Sequence, residues 1–285
     1  MIHYIENDFL RVGIKEFGCE LTSIISKETG SEFLWQGNPD IWSGQSPILF
    51  PIIGRLIDDR YTLGNCEYEM PKHGFARRMP WKLLKKNDSN ISLVLTETED
   101  TLRIYPFRFE LIVTFSLEKN KLTVSHEVIN KTDGNMYFSL GAHPAFNCKI
   151  GDRLIFDRNE TLEKIKIDLE HSLRLPETFP LLNNEKEIII TKDIFNEDAL
   201  ITKGVKSEKI TLVSDGLRRK IVFDLGKAPY LGIWAKPGAP YVCIEPWNGV
   251  NDEQNVRVDF SQKEGIVTLA SEEKFNFAWS ADFSE

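Results

Sequence analysis

The segments around His143 and Glu245 hold the side chains best suited to proton transfer. His143 lies in Gly-Ala-His-Pro-Ala-Phe-Asn (141–147), directly after the apolar run 136–140. Glu245 lies in Cys-Ile-Glu-Pro-Trp (243–247), at the end of a second apolar run. Because strands avoid the residues that follow, we predict both side chains at strand ends, with Glu245 at a cleft rim. A histidine gives and takes protons near neutral pH, so the two segments indicate an acid/base pair. Alternatively, His143 could be a structural histidine and Glu245 could form a salt bridge at the strand end.

Two further segments place charged groups where a packed core does not need them. Arg55 interrupts an apolar run at residues 50–56, where an ion pair with Asp58 or Asp59 is its alternative role. Residues 72–81 form a loop rich in donors and punctuated by Gly and Pro, which contains His73 and Arg77. Long stretches of chain separate these segments from His143 and Glu245, so only the fold could bring them together.

Most periodic segments alternate with period two, which is typical of half-buried strands. Leu111, Val113, Phe115 and Leu117 share one face of a predicted strand. The other predicted strands are Phe9 to Lys15, Leu21 to Ser26, Ile91 to Thr96, Leu122 to Ile129, Glu187 to Thr191, Ile210 to Val213, Lys220 to Leu225, Leu231 to Ala235, Tyr241 to Glu245 and Ile266 to Ala270.

Residues 236–240, Lys-Pro-Gly-Ala-Pro, predict a tight hairpin between two of these strands. No window predicts a long amphipathic helix, and Thr191 to Glu197 predicts a single turn at most. Many short strands without helices favour one all-β domain over residues 1–285, built as a large antiparallel β-sandwich. His126 alternates with apolar neighbours on the strand 122–129, which predicts a buried histidine with its polar atoms satisfied.

Composition excludes several classes of function. The 285 residues are 41% hydrophobic, enough for a substantial core, and carry a net charge of −8. That charge argues against general binding of nucleic acid or an anionic membrane. The N-terminus has no signal-peptide pattern and no apolar run could span a bilayer, so we expect a cytoplasmic protein. The four cysteines form no metal-ligand spacing, which predicts buried free thiols.

These segments together resemble the aldose 1-epimerase (mutarotase) family, particularly its LacX-like and hexose-6-phosphate mutarotase-like branches. The resemblance lies in Arg55, in His-Gly-Phe-Ala-Arg (73–77) with Trp81, and in the segments 141–147 and 243–247. These segments occur along the chain in the same order as in the family, and they span most of its length. The resemblance implies a galactose mutarotase-like supersandwich with very little helix, a sugar bound in an open cleft, and neither a metal nor an organic cofactor.

The resemblance also implies roles for individual residues. Glu245 is the expected base at the C1 hydroxyl of the sugar, and His143 is the expected acid at the ring oxygen. Arg55, His73 and Asp198 match positions that contact the sugar. Arg55 and Arg77 are the candidates for binding a phosphate, although Arg77 and Arg78 could also be structural or solvated. Trp234 and Trp247 could offer an apolar face to the ring; with Trp81 they could equally be core residues.

The expected function is interconversion of the α and β anomers of a hexose or hexose phosphate, by a monomer or homodimer. One alternative is a non-catalytic, carbohydrate-binding β-sandwich protein, which needs no proton shuttle. A second is a glycoside hydrolase or lyase. Glycosidases usually place two carboxylates about the scissile bond, and the second carboxylate here would be Asp198. Since the prominent partner of Glu245 is a histidine, hydrolysis is disfavoured.

Overall fold

Strands dominate the computed structural model, which describes residues 1–285 and is 53% strand and 6% helix. The first eleven strands are β1 (Ile2–Glu6), β2 (Leu10–Lys15), β3 (Glu20–Ser26), β4 (Ile48–Leu49), β5 (Arg60–Leu63), β6 (Cys66–Glu69), β7 (Lys82–Lys86), β8 (Asn90–Thr96), β9 (Phe109–Glu118), β10 (Lys121–Asn130) and β11 (Met136–Phe138). The remaining eleven are β12 (Leu140–Ala142), β13 (Ala145–Asn147), β14 (Arg153–Ile167), β15 (Arg174–Ile189), β16 (Leu200–Lys203), β17 (Lys209–Ser214), β18 (Arg219–Asp224), β19 (Tyr230–Trp234), β20 (Tyr241–Asn248), β21 (Val267–Leu269) and β22 (Lys274–Ser284).

Helices are few and short. The single α-helix, α1 (Glu99–Ile104), begins at Thr98, whose side chain accepts a hydrogen bond from the Thr101 backbone N–H. Four 3-10 turns complete the helical structure: Ile57–Asp59, Ala76–Arg78, Asp215–Leu217 and Phe260–Gln262. No helix has the length and apolar character needed to cross a membrane.

One sheet of 15 strands holds most of the chain. Its main path runs β4-β12-β20-β19-β16-β14-β17-β18-β22-β10-β9-β8-β7, with β13 paired to β20 and β15 to β14. Strands β1 to β3 form a separate three-stranded sheet, and β5-β6 and β11-β21 form two-stranded ribbons. Every strand pair is antiparallel. The predicted all-β antiparallel fold with very little helix is therefore confirmed.

The large sheet folds over so that its own faces pack together. The ring of Phe146, on β13, lies 5.9 Å from that of Phe223 on β18, although five strand positions separate β20 from β18. Near the other end, the ring of Phe50 lies 5.1 Å from that of Phe109. One continuous cluster of 66 buried hydrophobic residues results, and it reaches from Ile5 to Phe283.

The predicted strands all overlap observed strands, and the predicted hairpin at residues 236–240 joins β19 to β20. Alternation on β9 is as expected, with Leu111, Val113, Phe115 and Leu117 buried. Residues 191–197 form turns closed by the bond from Asn196 N–H to the Asp193 carbonyl (3.0 Å), and they are not helical.

Three cysteines are buried free thiols, as predicted, but Cys66 on β6 is exposed. The prediction for His126 is also only partly right. The residue is buried on β10, and burial lowers the pKa of its imidazole to about 4. Its Nδ1, however, has no hydrogen-bond partner, so the side chain is not fully satisfied.

Candidate active site

The register of the large sheet brings His143 and Glu245 together. Strand β12 pairs residue 141 with 247, and β13 pairs residue 145 with 243, so both follow one register along β20. In that register His143 faces Glu245, at the point where His143 and Pro144 interrupt the pairing. Side chains of directly opposed antiparallel residues lie on one face, with Cβ atoms about 5 Å apart. The imidazole Nε2 lies 3.3 Å from the Glu245 Oε2.

The predicted strand-end position holds for His143 and is wrong for Glu245. His143 follows the last residue of β12. Glu245 instead lies within β20, which continues through Pro246 to Asn248, and its side chain is only 1% exposed. Proline usually marks a strand edge or end because it donates no ladder hydrogen bond. Here β20 is held on one side by β19 and on the other by β12 and β13, so Glu245 lies at the floor of the site and not at its rim.

Burial acts in opposite directions on the two groups of this pair. It raises the pKa of the Glu245 carboxyl well above its usual range; the Trp247 indole N–H and Lys72 oppose that shift. Burial also lowers the pKa of His143, to about 3, and the positive charges of Arg77 and Lys72 add to the effect. Both neutral forms are favoured because a buried charge loses its hydration. Transfer of the carboxyl proton from Glu245 to His143 Nε2 would give the carboxylate–imidazolium form.

His73 is held in one orientation by a reciprocal contact with Gly54. The backbone N–H of Gly54 donates to His73 Nδ1 at 3.1 Å, and the backbone N–H of His73 donates to the Gly54 carbonyl at 2.7 Å. Since Nδ1 accepts, the neutral ring carries its proton on Nε2. Burial and the nearby His143, Arg77 and Lys72 lower the pKa of His73 well below its usual range. His73 therefore presents a neutral Nε2–H donor.

Gly74 allows the chain to place His73 against the segment 50–54. Its φ is +69°, and a Cβ at this position would lie 2.2 Å from the Phe50 carbonyl oxygen. We predict that Gly74→Ala lowers the free energy of unfolding by more than about 3 kcal/mol, since the strained φ adds to a backbone clash. Gly64→Ala is the matched control, because Gly64 has a φ of +58° with no atom within 4 Å of the added Cβ. Urea unfolding of both variants measures the difference, and equal losses would contradict the clash.

A cavity of about 220 Å³ opens above the pair. The candidate residues that line it are His143, Glu245, His73, Asp198, Arg77 and Trp234. Trp247, a second candidate for an apolar face to the ring, also lines the cavity, whereas sequence reasoning did not select Lys72, Trp42 and Asn251. Lys72 adjoins His73 in the donor-rich loop, which was a usable signal. Trp42 and Asn251 come from loops that carry no comparable pattern.

Arg55 is the one candidate that the structure does not bring to the cavity wall. Its Nε lies 3.0 Å from Asp59 Oδ1, and its side chain is 36% exposed. The alternative role, a surface ion pair with a neighbouring aspartate, is the one observed. This segment contributes to the site through the Gly54 backbone, which hydrogen-bonds His73, and not through the Arg55 guanidinium.

Unpaired polar atoms concentrate around the cavity. Three of its lining residues hold a buried side-chain atom with no partner on another residue: His143 Nδ1, Asn251 Oδ1 and Arg77 Nε. Buried polar atoms are nearly always paired, so such a cluster calls for a specific explanation. A ligand with many hydroxyl groups, each able to donate and accept, would satisfy both the acceptors and the donors of this set.

The same region has the only three side chains that could together hold a metal ion. The ligand atoms of His143, Cys243 and Glu245 lie within 4.8 Å of one another. A thiol must lose its proton to bind a metal. Burial raises the pKa of the Cys243 thiol well above its usual range, and the Glu245 carboxyl adds to the effect. The three side chains could therefore supply enough ligand atoms for a metal ion, but the Cys243 thiol resists the loss of the proton that binding requires.

Comparison with known proteins identifies the family of this chain. The aldose 1-epimerase family model matches residues 1–260. The plasmid-borne protein LacX of Lactococcus lactis is 30% identical, over 95% of this chain and 96% of its own length. A crystal structure of a galactose mutarotase related enzyme from Lactobacillus acidophilus superposes with a TM-score of 0.95 and 31% identity, covering 100% of this chain and 98% of the other. A Salmonella typhimurium protein provisionally named a glucose-6-phosphate 1-epimerase is 30% identical over 48% of each chain. The chain therefore belongs to the aldose 1-epimerase family.

Proposed function

We propose that the protein is an aldose 1-epimerase that interconverts the α and β anomers of a hexose by opening and closing its ring. The observation that carries this proposal is the buried contact of 3.3 Å between His143 Nε2 and Glu245 Oε2 at the floor of the cavity. A carboxylate and an imidazole that share one proton can supply a base and an acid at the same moment. A module that only binds sugar has no need of that pair.

In the proposed reaction the Glu245 carboxylate takes the proton of the C1 hydroxyl, and the C1–oxygen bond of that hydroxyl becomes a carbonyl. The bond between C1 and the ring oxygen breaks as its electron pair takes the proton of the His143 imidazolium. After rotation about C1–C2 the steps reverse: His143 recovers the proton from the released hydroxyl, which attacks the other face of C1, and Glu245 returns the proton to the carbonyl oxygen. No proton is gained or lost. Each such group typically contributes about 10²–10⁴-fold in rate.

Polarimetry on freshly dissolved α-glucose, α-galactose and their 6-phosphates tests the proposal. We expect the optical rotation to relax faster than the buffer background with at least one of these sugars. Folded protein that accelerates none of them, yet binds one in a calorimeter, would favour the carbohydrate-binding alternative. The hydrolase alternative predicts release of a reducing sugar from an aryl glycoside. The imidazole that contacts Glu245 argues against that outcome, because hydrolysis uses a second carboxylate.

We further propose that the preferred sugar carries a negatively charged group such as a phosphate. Lys72 and Arg77 line the cavity, and neither has a carboxylate within 4.0 Å. The Lys72 amine donates to Ser172 Oγ at 3.2 Å, and an Arg77 Nη2 donates to the Lys72 carbonyl at 2.8 Å, so both are held in place. Burial lowers the pKa of both groups, because it removes part of the hydration of their charge. The name of the Salmonella relative points to the same substrate class.

Lys72→Met and Arg77→Met should each lower kcat/KM for a hexose 6-phosphate by about 10- to 100-fold, the usual worth of a hydrogen bond to a charged group. The loss for the free hexose should be much smaller. Arg78→Met is the matched control, since Arg78 is exposed and does not line the cavity. Coupled-enzyme or polarimetric rates on both sugars give the ratio. Equal losses on phosphorylated and free hexose would contradict a phosphate site.

A further inference from the structure

The imidazole of His143 lacks the usual device that orients a catalytic histidine. In most acid/base sites the second ring nitrogen is fixed by a hydrogen bond to a carboxylate or a backbone carbonyl. His143 Nδ1 is buried and has no hydrogen-bond partner on any other residue. Its Nε2 contacts Glu245, a group with which it must exchange protons. Apart from a contact with the backbone of His143 itself, the ring is therefore oriented by packing.

Two indoles supply that packing. The Trp42 ring stacks on the imidazole, with a centroid distance of 5.1 Å and an interplanar angle of 27°. The Trp234 ring meets the imidazole edge-on at 5.7 Å and 83°, and the two indoles meet each other edge-on at 5.4 Å. His73 approaches another side edge-on at 6.0 Å. Together with Glu245, these rings leave the imidazole little freedom to rotate.

Trp42 is itself fixed, although it lies in a loop. Its indole also stacks on Tyr241, at 5.4 Å and 27°. Its carbonyl accepts a hydrogen bond from the Trp35 indole N–H at 2.9 Å. The Trp35 backbone N–H in turn donates to the Ala145 carbonyl at 2.9 Å, two residues after His143. Gly44 makes room for the ring: a Cβ there would lie 2.5 Å from Trp42 Cζ2. The loop is thus built to hold an indole against this histidine.

We propose that Trp42 is a positioning residue for the mutarotase reaction: its indole face holds the His143 imidazole in line with Glu245 and stabilises the imidazolium that donates to the ring oxygen. The face of an indole attracts a cation, most strongly where water is excluded. That attraction matters here because burial, Arg77 and Lys72 disfavour the imidazolium, while the backbone of His143 itself and the nearby Glu245 favour it. Trp42 acts through His143 and need not touch the reacting atoms.

The test compares Trp42→Leu with Trp42→Phe, and it rests on the proposed function. Leucine keeps an apolar side chain but has no π face, so kcat should fall by about 3- to 30-fold, the rate equivalent of a cation–π contact, with KM nearly unchanged. Phenylalanine should restore most of the rate. Gly44→Ala, which displaces the indole without removing it, should lower kcat in the same way. Trp279→Leu is the matched control, because Trp279 is also a buried, stacked indole but does not line the cavity.

A readout in the free protein separates this inference from the proposed function. The ring current of Trp42 should shift the carbon-bound protons of His143 upfield in the NMR spectrum, and Trp42→Leu should abolish that shift and broaden the resonances. Three outcomes would overturn the proposal: a raised KM with unchanged kcat, which marks a platform for the sugar; a Phe variant as slow as the Leu variant; or unchanged His143 resonances. Failure of the wild type to accelerate mutarotation would overturn the proposed function and leave the NMR result to stand alone.

Discussion

Glu245→Gln is expected to lower the rate of anomer interconversion by about 10²–10⁴-fold, the typical worth of a general base. Glutamine matches the shape of the side chain and still accepts a hydrogen bond, but it cannot take the proton of the C1 hydroxyl. Since Glu245 is 1% exposed within β20, the substitution changes no surface property. Polarimetry under saturating sugar measures kcat directly. A variant that keeps near-normal turnover would remove Glu245 from the mechanism.

The same substitution should stabilise the fold. Burial raises the pKa of Glu245 above its ordinary 4.5, so the folded protein holds this proton more tightly than the unfolded chain does. The stability of the wild type therefore falls as the pH rises from 4.5 towards the raised pKa. Glutamine does not titrate, so the gain in the free energy of unfolding should grow across that window. Such a gain at the cost of activity is usual where a buried charge serves function.

Urea unfolding at several pH values measures the gain in stability, and polarimetry on the same variant measures the loss of turnover. The two results together test the role of Glu245. Glu127→Gln is the matched control: Glu127 lies on β10, is half-buried and forms an exposed ion pair with Lys274 at 3.3 Å. The control should change neither turnover nor the pH dependence of stability to a comparable degree. An inactive but destabilised Glu245→Gln protein would show that the carboxyl is a structural group and not a strained catalytic one.

The chemistry of the site could be predicted from the sequence more fully than its geometry. The residue types around His143 and Glu245 already indicated a proton shuttle, yet their contact depends on a register shared by β12, β13 and β20. Such pairing between distant strands leaves no trace in local periodicity. For the same reason the position of Glu245 was wrong: Pro246 resembles a strand end, and only the partners on both sides of β20 show that the strand continues.

Other differences have local physical reasons. The long hairpin β14–β15 was missed except for the last residues of β15, because β15 is mostly exposed without alternation and its pairing with β14 shifts register in several places. Strand β15 also contains Pro176 and Pro180, which normally argue against a strand. Helix α1 has only six residues, too few for a periodic signal. Trp42 lies in a loop without a periodic pattern, so only the structure reveals that its indole stacks on the His143 imidazole.

His143→Asn is expected to slow turnover by about 10²–10⁴-fold as well, because asparagine cannot deliver a proton to the ring oxygen. Affinity for the sugar, measured by calorimetry, should change far less, since Asp198, His73 and Lys72 remain in the cavity wall. His171→Asn is the matched control: His171 is exposed, pairs with Asp168 at 2.6 Å and does not line the cavity. A loss of binding that equals the loss of rate would mean that His143 holds the sugar instead of protonating it.

The double variant His143→Asn/Glu245→Gln decides whether the two groups act as one unit. When one proton serves both partners, removing either already abolishes the transfer, so the second substitution should cost little more than the first. Independent contributions would instead multiply the two losses. The contact of 3.3 Å and the shared burial favour the first outcome. A double variant about 10⁴-fold slower than either single variant would show that each residue works without the other and that the shared-proton mechanism is wrong.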